Sequence, residues 1–314
     1  MTNYIVRRII QSVVVMLVIS FLSFSLLQIM PGDPAAAMLG TNATKEQIDS
    51  LRKELWLDRP FLVQYGHWFS NALQGNMGMS IIYREPITRI FASRLPVTLY
   101  LSSLAFILST LLGITAGILC AIRRGGGLDQ LISVCANIGM ATPVFWLGIL
   151  CIYLFGLKLG WLPIYGWTSP FDNWVQSSKQ AILPVIMLAV PGISVLARQS
   201  RSSMLEVIRQ DYIRTAFAKG LRESVVVARH ALKNALIPLV TLMGLYVRIL
   251  VGGSVLVETV FSIPGMGRLI VAGVLNKDFL VVQGGVLFVG AIVAVVNLLV
   301  DLSYCWLDPR VRYE

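Results

Sequence analysis

An all-α polytopic membrane protein with six spanning helices is the fold this sequence predicts, on three observations. Only 13% of its 314 residues are charged and 56% are hydrophobic, where an ordinary soluble domain carries about 25% charged. Six apolar runs are long enough to cross a hydrocarbon core of roughly 30 Å, which takes about 20 residues at a 1.5 Å rise. The runs are continuous rather than alternating, which excludes a closed barrel, the other way of satisfying backbone hydrogen bonds in lipid.

The runs cover residues 9–30, 95–122, 130–157, 180–197, 235–257 and 279–300, the last continuing toward Leu307. Arg7 and Arg8 precede the first and Ala35, Ala36 and Ala37 follow it, as they would flank a secretory signal. A signal core is about 7 to 15 residues long, whereas this run holds 22 residues without a charge, so it reads as a membrane anchor. Glycine and proline mark the ends: Pro31, Gly32 and Pro34, then Gly125 to Gly127, then Pro163, then Pro264, Gly265 and Gly267. Pro143, Pro184 and Pro191 fall inside spans, which fits either bends around a central path or plain packing.

Residues 1–94 read as the first spanning helix plus a helical extramembrane insertion, and 95–314 as a five-helix domain. Within the insertion, Thr44 followed by Gln47 is a capping box, and Ile48, Leu51 and Leu55 then share one helical face. A second helix is predicted over 62–73. No internal repeat or low-complexity tract appears.

Six spans put both termini on one side, with the segments 123–129 and 198–234. That side carries 14 Lys and Arg, against 4 in the short opposite loops 158–179 and 258–278. Basic residues accumulate in short cytoplasmic loops, so the termini and 198–234 are expected in the cytoplasm. The net charge of +10 is thereby explained by orientation and contact with anionic headgroups, and no nucleic-acid motif accompanies it.

Cys120, Cys135, Cys151 and Cys305 lie in or beside spans without CxxC spacing and read as small packing residues. The two histidines, His67 and His230, form neither HExxH nor any ligand cluster, so no metal site is expected. A G-x-S-x-G elbow is absent too, which argues against an intramembrane enzyme and leaves a transporter or a channel.

The stretch 211–238 is basic and not greasy, although it sits between two spans. Ahead of Gly220, Leu205, Ile208, Tyr212 and Ala216 are spaced 3, 4 and 4; after it, Leu221, Val225, Ala228 and Leu232 are spaced 4, 3 and 4. Glycine between two helical stripes allows two short helices to meet at an angle, an elbow. Periodicity alone leaves two uses open, a helix lying on headgroups or a docking element for a partner.

Here the chain resembles a known family. DYIRTAFAKG (211–220) followed by RHALKNALIP (229–238) is similar to the EAA loop by which ABC importer permeases dock on their ATPase. MPGDP (30–34), LDRPFLVQYGHW (57–68), GNMGMS (75–80), LGWLP (159–163), GGSVLVETVFSIPGMGRL (252–269) and LDPRVRY (307–313) extend the resemblance along nearly the whole chain. The branch indicated is that of the peptide/nickel permeases, which import dipeptides, oligopeptides, glutathione or nickel.

The resemblance implies a type I ABC importer permease fold in a bacterial inner membrane. It implies a second homologous permease, two cytoplasmic ABC ATPases that bind ATP and Mg, and an extracytoplasmic solute-binding protein as partners. The chain itself has no G-x-x-x-x-G-K-[ST] loop and no cofactor is expected in it. ATPase coupling falls by resemblance on Asp211, Arg214, Thr215, Ala216, Lys219, Gly220 and Arg222. Arg214, Thr215 and Ala216 stand where the wider family has Glu-Ala-Ala, and Gly220 matches its glycine. The glutamate is missing, as is usual in this branch, and the wider family's Leu-Pro is replaced by Lys233, with a proline only at Pro238.

Arg248 is the one charge deep in a span, about 18 Å along the fifth helix. A mid-span arginine costs about 2.5 to 3.5 kcal/mol to insert, so it should face protein, a carboxylate or water. It either pairs with an acid such as Glu258 or Asp301, or with one in a partner subunit, or stands with Glu258 on the translocation pathway and meets a cargo carboxylate. Ten residues of helix separate Arg248 from Glu258, about 280° of net rotation, which places them on different faces. An arginine there suits a peptide or a chelated metal better than a bare divalent cation.

Overall fold

The computed structural model describes residues 2–29, 33–40 and 43–307. They form helices α1 (Thr2–Ile29), α2 (Pro34–Leu39), α3 (Lys45–Glu54), α4 (Phe61–Leu73), α5 (Ile87–Ile122), α6 (Gly127–Ala141) and α7 (Val144–Cys151). After these come α8 (Trp174–Ile208), α9 (Asp211–Ala218), α10 (Glu223–Val225), α11 (Leu232–Val260), α12 (Met266–Leu275) and α13 (Phe279–Leu307). Two π-helical turns, Ile152–Lys158 and Val226–Ala231, extend α7 and α10. Among the described residues the only β pairing is one isolated bridge, Met79 with Pro86.

Among the described residues four helices are long and apolar enough to cross a membrane, and up to six spans result if each of two bent pairs is one span. The third predicted run is one of those pairs: it breaks by 105° between α6 and α7. The cause is local. The ring of Pro143 pushes the residue before it out of the helical region, and Thr142 is accordingly extended (φ −80°, ψ 122°). Pro184 and Pro191, by contrast, lie inside a continuous α8, so these prolines do not act alike.

The described chain forms two compact units, one of Leu99–Ile263 with the chain from Leu299 on, the other of Thr2–Thr98 with Pro264–Leu298. In the first, α6, α7 and α11 pack on α8, whose Leu183, Met187, Leu196 and Met204 are fully buried. Tyr246 of α11 lies over Gly192, and its hydroxyl donates to the carbonyl of Leu188 at 2.7 Å. α5 comes as close. A Cβ on Gly117 would stand 2.4 Å from the carbonyl oxygen of Ala197 and 2.8 Å from the nitrogen of Arg201. Backbone atoms cannot swing aside, so Gly117→Ala forces α5 off α8 and is expected to cost about 1 to 3 kcal/mol, read as a lower thermal midpoint of the purified protein.

In the second unit, the capping box is present: Thr44 N–H donates to Gln47 Oε1 at 2.9 Å and Gln47 N–H to Thr44 Oγ1 at 3.3 Å. Leu51 and Leu55 pack against the buried group Met38, Ile87, Ile90, Phe91, Met266, Leu269, Leu280 and Val281, as the stripe on α3 requires. α4 meets α1 through aromatics, with Phe24 and Trp68 centroids 5.5 Å apart and Ser20 hydrogen-bonded to Tyr65 at 2.8 Å. The first and last quoted motifs, at 30–34 and 307–313, run over residues outside those described.

Candidate functional site

α8 ends at Ile208, and Arg209 and Gln210 turn the chain into α9. Lys219 and Gly220 turn it again, Gly220 at φ +77°, in the left-handed region that a Cβ disfavours. Arg222 is extended (φ −64°, ψ 143°) and starts α10, which runs through its π turn into α11. The elbow is therefore formed at Gly220, with α9 as one arm and α10 with its π turn as the other.

Its buried side differs from the stripes read in the sequence. Leu205 and Ile208 belong to α8 and Tyr212 and Ala216 to α9, because the chain breaks at Arg209 and Gln210. On α9, Ile213 and Ala216 are buried, while Tyr212 is 43% exposed. Beyond Gly220 the buried residues are Val226, Ala231 and Ala235; of the stripe, Leu232 packs against them partly buried, whereas Leu221, Val225 and Ala228 are exposed. The spacing of 5 and then 4 is the signature of a π turn, whose i→i+5 bonds add one residue to a turn and rotate the following face. An α-helical count misses that shift. Together Ile213, Ala216, Val226, Ala231 and Ala235 close on Met204 and Ala121. Asn234 Nδ2 also donates to the Tyr212 hydroxyl at 2.8 Å, tying α9 to α11.

The outward side gathers the residues the sequence pointed to. Asp211, Arg214, Thr215, Lys219, Gly220 and Arg222 are all exposed, whereas Ala216 is an anchor in the buried cluster. Arg214 and Asp211 approach to 3.7 Å, an exposed pair worth about 0 to 1 kcal/mol. Thr215 Oγ1 donates back to the Asp211 carbonyl at 3.0 Å. Beside them, Tyr212, Phe217, Leu221 and Val225 are each 37–45% exposed. Spacing places Tyr212, Leu221 and Val225 on the apolar stripes without deciding which way those stripes face.

One support of the elbow spans 72 residues of sequence. Arg201 on α8 holds Asp129 at the start of α6 with two bonds, Nε to Oδ1 at 2.7 Å and Nη2 to Oδ2 at 2.8 Å. The Gly125 N–H adds a third at 2.9 Å. Asp129 is buried, and Arg201 lies one turn from Met204 of the elbow's cluster.

Arg248 and Glu258 both lie on α11, Arg248 partly buried and Glu258 fully buried. No ion pair among the described residues joins them, in keeping with their different helix faces. The side chain of Asp301 lies outside the described residues.

Residues 113–313 match the family described as binding-protein-dependent transport system inner membrane component, and residues 1–105 match the family of its N-terminal part. A probable peptide ABC transporter permease protein of Sinorhizobium fredii is 41% identical over 310 residues, covering 99% of each chain. A dipeptide transport system permease protein of Alkalihalophilus pseudofirmus is 38% identical over 333 aligned positions, covering 100% of each. Among solved structures, the MetNI methionine ABC transporter in an inward-facing form is similar with a TM-score of 0.55 at 19% identity, covering 70% of this chain and 96% of that one. That likeness carries the fold, a helical type I importer permease.

Proposed function

As the chain belongs to the family of binding-protein-dependent transport system inner membrane components, we propose that it is the pore-forming permease of an ATP-driven importer of peptides. The two-faced elbow carries the proposal. Its inner face is locked into α8 and α11 through Ile213, Ala216, Val226 and Ala231. Its outer face offers Tyr212, Phe217, Leu221 and Val225 among Arg214, Lys219 and Arg222. A knob anchored on one side and both apolar and basic on the other is suited to a complementary groove on an ATPase.

The mechanism follows from that anchoring. Two ATPases hold ATP and Mg and move together on binding nucleotide, carrying the elbow with them. Because Ile213 and Ala216 are packed against Met204 at the end of α8 and against the start of α11, displacement of α9 moves both helices as bodies. Rocking of packed helices is the usual means of alternating access. A second permease completes the pore, and a solute-binding protein delivers cargo from the outer side. The excess of Lys and Arg, 14 against 4, sets the elbow and both termini in the cytoplasm.

Peptide cargo is supported by the relatives reported above, whose names speak of peptides and dipeptides, and these names favour it over the nickel alternative. Arg248, partly buried in α11, supplies a guanidinium that can take a peptide carboxylate in bidentate fashion. The test is reconstitution with the binding protein and ATPases. Phe217→Ala removes an exposed anchor without touching the buried cluster, so ATPase capture is expected to weaken about tenfold or more with the thermal midpoint unchanged. Normal capture and peptide-stimulated hydrolysis in a Phe217→Ala, Leu221→Ala double variant would remove the elbow from the coupling path.

A further inference from the structure

A cavity of about 310 Å³ opens between α5, α6 and α8, lined by Cys120, Ser133, Asn137, Arg198, Arg201 and Ser202 among others. We propose that it is a binding site for a phosphate ester. The proposal goes beyond peptide transport and does not depend on how the elbow docks.

Charge is the first argument. Arg198 and Arg201, three residues apart on α8, share a helix face and contribute two positive charges to the lining. One carboxylate answers them, and it is committed: Asp129 takes Nε and Nη2 of Arg201. Nη1 of Arg201 keeps two N–H donors that the carboxylate does not use. None of the ion pairs among the described residues uses Arg198. The site thus carries one net positive charge and several donors, with the Ser133, Ser202 and Asn137 side chains alongside. A phosphate with three or four acceptor oxygens matches such a set, and the Asp129 pair holds one of the two guanidinium groups in place beforehand.

Depth is the second argument. Between Lys179 and Arg198 α8 has no charged residue, an interval of about 28 Å, close to the roughly 30 Å of a hydrocarbon core. Arg198 therefore falls at one edge of that core. Cys120 says the same of α5, because Arg123 and Arg124 follow three and four residues on. The cavity opens where headgroup phosphates lie, and a basic pocket between spanning helices at that level selects anionic headgroups. A soluble phosphate ester offers the same chemistry.

The experiment counts ligand retained by the purified permease in native mass spectrometry, with phosphatidylglycerol, phosphatidylcholine or glycerol phosphate added. Phosphatidylglycerol held in preference to phosphatidylcholine, and about tenfold more weakly by Arg198→Gln, supports the site with a lipid as its source. Glycerol phosphate held by the wild type and lost in the same variant, without lipid preference, supports it with a soluble source. Asn137→Leu keeps the charge but fills the cavity, and its binding should fall as well. Retention of none of these ligands, or equal retention by wild type and both variants, overturns the proposal.

Discussion

Arg201→Met is expected to unfold the purified permease several degrees below the wild type, and further below it than Asp129→Asn. Arg201 and Asp129 form a two-bond pair in which the carboxylate is almost wholly buried and the guanidinium is 32% exposed. Removing one partner of a buried pair costs about 3 to 5 kcal/mol, because the other is left charged and out of water. The asymmetric exposure decides which loss is worse. Without Arg201, Asp129 keeps the Gly125 N–H at 2.9 Å, a long contact from Ser133 at 3.5 Å and the weak thiol donor of Cys120, and no charged partner. Without the Asp129 charge, Arg201 turns to water through its exposed third. The double variant Asp129→Asn, Arg201→Met should therefore be more stable than Arg201→Met alone. Thermal unfolding of the four proteins decides it, and strictly additive losses would mean the pair is not coupled.

Gly220→Val is expected to reduce ATP-dependent peptide uptake about tenfold or more while the protein still reaches the membrane. A Cβ at Gly220 meets nothing within 4 Å, so crowding is not the cause. The cause is the backbone, which sits at φ +77°, where a non-glycine residue costs about 1 to 3 kcal/mol and a β-branched one falls at the upper end. The chain relieves that cost by opening the turn, which swings α9 away from α10 and misaligns the outward face. Asparagine visits the left-handed region most easily of the non-glycine residues. Uptake should then order as glycine, asparagine, alanine, valine, with membrane levels alike. Valine as active as asparagine would show that the turn conformation is irrelevant to transport.

The parts of this molecule that were legible in advance depend on near neighbours. The capping box at Thr44 and Gln47, the face of Leu51 and Leu55 and the elbow at Gly220 each follow from residues within about one or two helical turns, and the six apolar runs from unbroken stretches of sequence. The break at Thr142 and Pro143 belongs with them in kind, since steric exclusion before proline is local, but its 105° is not. The same residue type at Pro184 and Pro191 stays within a continuous helix.

What surrounding structure alone decided is the face that each helix shows. A π turn at Val226–Ala231 costs hydrogen-bond geometry and is maintained by packing, so no count of apolar spacing reveals it. Once present, it brings Val226, Ala231 and Ala235 onto one buried face, while Leu221 and Val225 ahead of it are exposed. Likewise Arg201 and Asp129, each an ordinary basic or acidic residue beside an apolar run, acquire their weight only by meeting across 72 residues. Hydropathy and turn chemistry act through short-range free energies and so are written along the chain. Burial, ion pairing and the cavity beside Arg198 are properties of distances between helices, which exist only after the helices have packed.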